Sequence, residues 1–181
     1  IANRNADRLV RLVNDALDIE RIESGRLDIN FRALNVGEII AAAVAENRLY
    51  ADKFGIAIQI TGEVPNARIK GGADQLHQVL TNLLSNAIKH SPLHGMIDIG
   101  AACQADGVVF TITDHGPGIP LDFRGKVFDK FTQADASGGS QGSGLGLSIC
   151  KLLIEKHNGH IGFNSRPGNT TFHFTLPELD P

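Results

Sequence analysis

The apolar positions at the start of the chain recur with the period of an α-helix. From residue 1 to about residue 24 they follow the i, i+3, i+4, i+7, i+8 rule, and Gly25 is the predicted stop. The positions are Leu9, Leu12, Val13, Ala16 and Leu17. One such helix cannot bury its own apolar stripe, so it needs a partner. Either the stripe packs on the domain that follows, or the helix is half of a helical hairpin that dimerises.

After Gly25 the pattern changes to short strands interleaved with helices. Strands are predicted over residues 26–31, 56–60, 67–70, 96–104, 108–113, 161–164 and 170–176. Helices are predicted over residues 35–54, 73–90, 121–131 and 144–158. Asn35 and Glu38 resemble a capping box at the start of the first of these helices, and Gly159 is the predicted stop of the last.

This order of elements predicts an α/β (α+β) fold. The expected architecture is a two-layer sandwich, in which a mixed, mostly antiparallel sheet packs against about three helices, preceded by one long helix. The expected division of the chain places the single helix in residues 1–25 and the sandwich in residues 26–181.

Composition narrows the range of functions. The 181 residues are 42% hydrophobic, which is enough for one substantial core, and the net charge of −3 indicates no nucleic-acid-binding surface. Cys103 and Cys150 are far apart in apolar patterns, which favours reduced, buried thiols in a cytosolic protein. No apolar run approaches the roughly 20 residues of a membrane span. The chain begins inside a helical pattern, so we expect a piece of a longer protein, whose membrane anchor or sensor could lie outside it.

A polar face on the predicted helix 73–90 is the first candidate site. Gln75, Asn82, Asn86 and Lys89 lie nearly opposite the leucine-rich stripe of this helix. An amide oxygen is a hard ligand suited to Mg²⁺, which keeps waters and substrate phosphates in the rest of its shell. A lysine ammonium would meet a phosphate. We interpret this face as one wall of a nucleotide site, and a solvated helix face is the alternative.

Asp114 is the second candidate. The strand from Val108 onward alternates, and Asp114 has the parity of its apolar residues, so its carboxylate should point into the interior. A buried carboxylate needs hydrogen-bond donors, and an adenine amino group would serve. Thr170, on the last strand, has inward parity too and could reach the base directly or through water. Gly116 and Gly118 allow a tight turn past the ring. The alternative is an ordinary aspartate turn.

A glycine-rich segment before the last helix is the third candidate. Its glycines are Gly142, Gly144 and Gly146. A glycine loop that enters a helix presents backbone N–H groups and the helix dipole to an anion. The spacing is neither the dinucleotide fingerprint G-x-G-x-x-G nor the Walker pattern. Residues 138–141 extend the loop, which predicts a mobile lid over the phosphates. Phe128 and Phe131 would anchor the near end of the lid, with simple core packing as the alternative.

Taken in this order, the motifs resemble the ATP-binding catalytic domain of a sensor histidine kinase. That domain belongs to an ATPase superfamily shared with type II topoisomerases, mismatch-repair ATPases and a heat-shock chaperone. The matching segments are residues 75–90 (the N box), 114–119 (the first glycine box), 127–131 (the F box), 142–147 (the second glycine box) and 167–172 (a last box). Residues 8–25 are similar to the second helix of the kinase dimerisation hairpin and its linker.

The resemblance implies binding of ATP with Mg²⁺. Asn86 would hold the metal with Asn82 beside it. Lys89 and His90 would line the phosphate and sugar side, and Asp114 would bind the adenine amino group. Asn82, Asn86 and Lys89 are the candidate catalytic residues. The other candidates for nucleotide binding are Gly116, Gly118, Ile119, Gly142, Ser143, Gly144, Leu145, Gly146, Leu147 and Thr170.

The resemblance also implies phosphotransfer to a histidine on the first helix of the hairpin. No S-H-E-L-R-T-P type motif is present, and all seven histidines lie in residues 26–181, so the acceptor is expected outside this chain. The phosphoryl group would then pass to an aspartate on the receiver domain of a response regulator. The full-length protein would be a homodimer.

Two positions depart from the family pattern. His115 stands where the family usually has asparagine, and Gln133 and Asp135 occupy a stretch that often carries a basic residue. These departures motivate an alternative function, a nucleotide-binding regulatory module without phosphotransfer. A serine kinase of the anti-sigma type shares the pocket, but the helix in residues 1–25 argues against it.

Overall fold

The computed structural model describes residues 2–133 and 143–179, with residues 2–8 and 11 described by their backbone only. The helices are α1 (Ala2–Glu23), α2 (Val36–Asp52), α3 (Ala73–His90) and α4 (Gly146–Lys156), and a 3₁₀ turn spans Arg124–Lys126. The strands are β1 (Phe31–Asn35), β2 (Ala57–Ile60), β3 (Arg68–Gly72), β4 (Met96–Gln104), β5 (Gly107–Asp114), β6 (His160–Arg166) and β7 (Asn169–Leu176).

Five strands form the main sheet, in the order β2-β4-β5-β7-β6. The β2–β4 pair is parallel and the other three pairs are antiparallel, while β1 and β3 form a separate antiparallel pair. Helix α2 packs near β2, α3 near β5 and α4 near β6, which makes the second layer. The predicted two-layer sandwich with a mixed, mostly antiparallel sheet is confirmed. Among the described residues, no helix is both long and apolar enough to cross a membrane.

The core lies between the sheet and the helices. Strands β5 and β7 alternate buried and half-buried positions, so every second side chain enters the core. Phe110 and Phe174 stack at its centre, with their ring centroids 4.6 Å apart. Helix α3 covers them with a buried stripe that follows its 3.6-residue period. The stripe consists of Leu76, Val79, Leu80, Leu83, Leu84, Ala87 and Ile88.

Helix α2 begins as predicted. Asn35 has extended backbone dihedrals, and its Oδ1 accepts a hydrogen bond from the Glu38 N–H at 3.1 Å. This bond satisfies one of the backbone donors that the first turn of a helix leaves without a partner.

Helix α1 contacts the sandwich through a different face from the one that its apolar stripe suggests. Ile19 and Ile22 are buried, and Asp18 Oδ2 accepts a hydrogen bond from Gln78 Nε2 at 2.9 Å. The exposed stripe residues include Leu9, Val13 and Leu17, with exposures of 62%, 55% and 47%. Packing on the following domain therefore holds for the last turns of α1 and not for the stripe. Gly25 ends the helix with a φ of 70°, as expected for a left-handed stop.

Several boundaries differ from the sequence predictions, three of them as follows. The first strand lies at Phe31–Asn35 rather than at residues 26–31, because it pairs with β3 along that register. The predicted helix at 121–131 is a single 3₁₀ turn, and Phe131 has a φ of 60° that no right-handed helix contains. At the end of α4 the left-handed residue is Asn158, with a φ of 57°, and not Gly159.

The two cysteines differ in environment. Cys150 is buried, its Sγ lies 3.7 Å from the Val79 carbonyl, and burial raises the pKa of its thiol to about 12. Cys103 is exposed, which corrects the expectation that both thiols are buried. It lies near the end of β4, beyond the last core-facing residue Ala101.

Candidate functional site

Asp114 ends β5 with its side chain turned into the core, as its parity predicts. It is only 5% exposed, and its Oδ1 accepts a hydrogen bond from the Gly116 N–H at 2.9 Å. Burial raises the pKa of the carboxyl, and the Gly116 N–H and the neighbouring His90 and His115 partly offset the rise. Burial thus outweighs these favourable contacts, which suits a carboxylate that receives a ligand's donor.

Thr170 lies directly opposite Asp114 in the β5–β7 register and is 3% exposed. Directly opposed residues on one face of a sheet have Cβ atoms roughly 5 Å apart. A buried carboxylate and a buried hydroxyl therefore lie side by side at one end of the two central strands. This confirms the predicted orientation of both side chains, whereas their roles in nucleotide binding stay predictions.

The turn after Asp114 fits closely between two neighbours. An added Cβ at Gly116 would overlap the His90 carbonyl oxygen, so only glycine lets the end of α3 lie on this turn. The Gly116 carbonyl accepts a hydrogen bond from the Gly168 N–H at 2.8 Å, which joins the turn to the β6–β7 connection. Gly118 has a φ of 86° and lies against the backbone of Arg166.

Residues that the sequence analysis missed hold the next part of this turn. The Ile119 N–H donates to Ser165 Oγ at 2.8 Å, and Ser165 Oγ also lies 2.8 Å from Thr170 Oγ1. Arg124 donates from Nε to the Ile119 carbonyl at 3.2 Å and from Nη2 to the Ser165 carbonyl at 2.6 Å. A signal for Ser165 was present, because it is a polar residue with the core-facing parity of Phe163 on β6.

The polar face of α3 extends from the start of α4 to the turn after Asp114. Asn82 and Asn86 are half-buried, and Lys89 and His90 are exposed. Asn82 Nδ2 lies 3.4 Å from the Gly146 carbonyl in the first turn of α4. At the other end, the His90 carbonyl contacts Gly116. Asn86 is one helical turn from each contact, so the structure brings these residues together along one wall.

The start of α4 forms the opposite side. Gly144 has a φ of 71° and lies against the backbone of Phe131, and the buried Leu145 anchors the segment. The Leu145 N–H donates to Ser143 Oγ at 3.2 Å, and no described side chain caps the helix. The N–H groups of its first turn, which includes Gly146 and Leu147, therefore form a place for an anion.

Part of the predicted lid, Gly142 and the segment 138–141, lies outside the described residues. Of the two predicted anchors, Phe128 is half-buried and packs against the core, with its ring centroid 6.1 Å from that of Phe163. Phe131 is 69% exposed, so core packing is wrong for its side chain.

His115 lies on the opposite face of the sheet from Asp114. Its Nε2 is 3.3 Å from Asp98 Oδ2, and its Nδ1 is 3.2 Å from the Gly168 carbonyl. The departure from the family pattern at this position therefore does not enter the space beside Asp114.

The possible metal ligands at this site fit a magnesium ion that takes most of its coordination shell from groups other than the protein. No group of three or more His, Cys, Asp or Glu side chains among the described residues could form a metal cage. The amide oxygen of Asn86 is a single hard ligand, and Mg²⁺ is typically bound by few protein ligands together with substrate phosphates.

Two shallow concavities elsewhere contain none of the candidate residues. One, of about 310 Å³, lies at the other end of β5 and β7, and its lining consists of Asp106, Asn158, His160, Thr175 and Pro177. The other, of about 290 Å³, lies on the outer face of the sheet and includes Gly100 and Thr111. We assign the site from its chemistry, because neither concavity holds a buried charged group.

Residues 71–180 match the family model described as histidine kinase-, DNA gyrase B-, and HSP90-like ATPase. The chain is 33% identical over 175 residues to the alginate biosynthesis sensor protein KinB of Pseudomonas aeruginosa, covering 94% of this chain and 28% of KinB. It is 35% identical over 172 residues to the adaptive-response sensory kinase SasA of Synechocystis, covering 92% of this chain and 44% of SasA. The chain thus spans less than half the length of these relatives.

Solved structures show the same similarity. Full-length ShkA in complex with AMPPNP superposes with a TM-score of 0.86 and 27% identity, covering 98% of this chain and 37% of ShkA. The catalytic domain of the histidine kinase ThkA superposes with a TM-score of 0.73 and 29% identity, covering 82% of this chain and 96% of that domain. All the candidate site residues lie inside the segment that matches the family model.

Proposed function

The chain belongs to the family of histidine kinase-, DNA gyrase B-, and HSP90-like ATPases, and on this premise we propose that it binds Mg²⁺ and ATP as the catalytic domain of a sensor histidine kinase. Its relatives include sensor proteins and a sensory kinase. Residues 26–181 would be this domain, and residues 1–25 the second helix of a dimerisation hairpin.

The observation that carries the proposal is the buried pair of Asp114 and Thr170. Their side chains are neighbours across β5 and β7, and both are almost fully buried. Adenine carries an amino group at C6, which can donate to a carboxylate, whereas guanine carries a carbonyl oxygen there, which the carboxylate would repel. Because a buried carboxylate gains most from a donor, this pair favours adenine.

The phosphates would extend from this pair toward the start of α4. No side chain in the described part of the chain caps the first-turn N–H groups of α4, which would bind phosphate oxygens. Asn86 would hold Mg²⁺, which supplies charge neutralisation at the phosphates when it is bound. Lys89 and His90, at the end of the same helix, would line the phosphate and sugar side.

The chain's contribution to phosphoryl transfer would be to position the γ-phosphoryl group and to neutralise its charge. The acceptor is a histidine imidazole on an upstream helix. Because an imidazole is itself a nucleophile, no general base from this chain is needed. A response-regulator aspartate would receive the phosphoryl group next, and the full-length protein would be a cytoplasmic kinase that works as a homodimer.

Calorimetric titration with ADP and Mg²⁺ tests the binding part of the proposal. We expect one site, which weakens when the metal is chelated. Incubation with ATP should leave this chain unlabelled, whereas addition of the upstream helix should restore acid-labile phosphorylation. Absence of ADP binding would refute the proposal, and self-labelling of this chain would show that the acceptor is misplaced.

A further inference from the structure

Ser165 lies between the turn that carries Gly118 and the strand that carries Thr170. We propose that Ser165 is a positioning residue for adenine recognition, which fixes Ile119 and orients the Thr170 hydroxyl, and that Arg124 holds Ser165 in place. The inference depends on the proposed ATP site. It adds two residues outside that site and a property that they control, the preference for adenine over guanine.

The hydroxyl of Ser165 forms hydrogen bonds with two partners, Ile119 and Thr170. A serine oxygen has one proton to donate and two lone pairs to accept with. The Ile119 N–H, at 2.8 Å, occupies one lone pair. The Thr170 hydroxyl, also at 2.8 Å, either accepts from the Ser165 proton or donates to the second lone pair of Ser165 Oγ. Ser165 therefore restricts the rotation of the Thr170 hydroxyl, and this restriction decides whether Thr170 presents its proton or a lone pair beside Asp114.

Arg124 holds the backbone of both Ile119 and Ser165. Its guanidinium donates to the Ile119 carbonyl and to the Ser165 carbonyl, at 3.2 and 2.6 Å. Ile119 consequently has its N–H held by Ser165 and its carbonyl held by Arg124. The planar fork of a guanidinium suits two acceptors in a fixed arrangement, which a lysine ammonium matches less well.

These contacts lie where they would influence the base rather than the phosphates. Ser165 faces Thr170 in the β6–β7 register, and Thr170 faces Asp114 in the β5–β7 register. The three side chains therefore form a row across the same end of the sheet. Loss of the Ser165 hydroxyl would leave the buried Thr170 hydroxyl free to rotate and the Ile119 N–H without its partner.

The experiment measures ADP and GDP binding to the full chain by calorimetry, in the presence of Mg²⁺. Ser165→Ala should weaken ADP binding about tenfold, an effect about the size of one hydrogen bond, and change GDP binding less, so that the preference for ADP falls. Ser165→Thr, which keeps a hydroxyl, should retain most of the preference. Ser24→Ala, in the exposed turn after α1, is the matched control and should bind as the original chain does.

The outcomes separate the inference from the proposed function. Failure of the original chain to bind ADP refutes the proposed function itself. Normal ADP binding by the original chain with an unchanged ADP-to-GDP ratio in Ser165→Ala overturns the inference alone, whatever happens to the melting temperature. If Ser165→Ala does not fold, Arg124→Lys decides, because it keeps the charge and loses the fork. A several-fold fall in its ADP-to-GDP ratio supports the inference, and an unchanged ratio overturns it.

Discussion

Replacement of Asp114 by asparagine tests the adenine site most directly, because the two side chains have the same shape. The Gly116 N–H binds Oδ1 of Asp114, and an asparagine Oδ1 can accept the same bond. The atom that replaces the other carboxylate oxygen is then the nitrogen of an NH₂ group. It would face the adenine amino group donor to donor, while it could donate to the carbonyl oxygen of guanine.

The expected loss follows from the bond removed. A hydrogen bond to a charged group contributes about 1.5–3 kcal/mol, so ADP should bind roughly 10- to 150-fold more weakly. GDP should lose less or gain, which lowers or reverses the preference for adenine. Calorimetry of both nucleotides with Mg²⁺ measures the two dissociation constants.

The stability of the folded chain should not fall with the affinity for ADP. Burial raises the folded-state pKa of Asp114 above the ordinary value of 3.8, so the folded chain binds this proton more tightly than the unfolded chain does. The group's favourable contribution is complete below the ordinary pKa and is lost as pH rises through the folded pKa. The asparagine side chain of the variant has no such titration. Asp114→Asn should therefore be at least as stable as the original at pH 7, and it should lose part of the acid-side pH dependence.

Thermal unfolding between pH 4 and pH 7 measures this second effect. A variant that unfolds at lower temperature but binds ADP with the original affinity would refute the reasoning, because Asp114 would then be a structural residue. Equal ADP and GDP affinities in the original chain would also remove Asp114 from base selection.

Three further perturbations address other parts of the site and the fold. Asn86→Ala should abolish the Mg²⁺ dependence of ADP binding and change the free energy of unfolding by no more than about 0.5 kcal/mol, as calorimetry with and without a chelator and denaturant titration would show. Gly116→Ala should destabilise the chain by about 1–3 kcal/mol, because the new methyl group would overlap the His90 carbonyl. Burial lowers the pKa of His157, whose neutral ring donates to Leu153 and accepts from Gly72, so stability should fall as pH drops below 6.5. His157→Leu should remove that part of the pH dependence.

Each of these has a matched control. Gly125→Ala adds a methyl group in open space and should leave stability nearly unchanged. Asn14→Ala, on the exposed surface of α1, should leave Mg²⁺-dependent binding intact. His160→Ala changes an exposed histidine and should leave the acid side of the stability curve as it was. An Asn86→Ala chain that unfolds, a stable Gly116→Ala chain, or an unaltered acid profile in His157→Leu would contradict the respective prediction.

Local periodicity in the sequence determined much of the sandwich. The limits of α3 (Ala73–His90) and β4 (Met96–Gln104) are those predicted, because a long amphipathic run identifies its own element. The inward direction of Asp114 and Thr170 followed from strand parity alone, since successive side chains in a strand point to opposite faces. The polar face of α3 followed in the same way from the helical period.

The tertiary structure alone decided which distant residues meet. Arg124 and Ser165 are 41 positions apart, and nothing in their local pattern shows that one donates to the carbonyl of the other. The face of α1 that docks carries the buried Ile19 and Ile22 and not the apolar stripe. Gly116 is required by the His90 carbonyl beside it. The period of a helix or strand determines the direction of each side chain within that element. How elements stack, and which backbone groups then come within hydrogen-bonding distance, depends on the packing of the whole core.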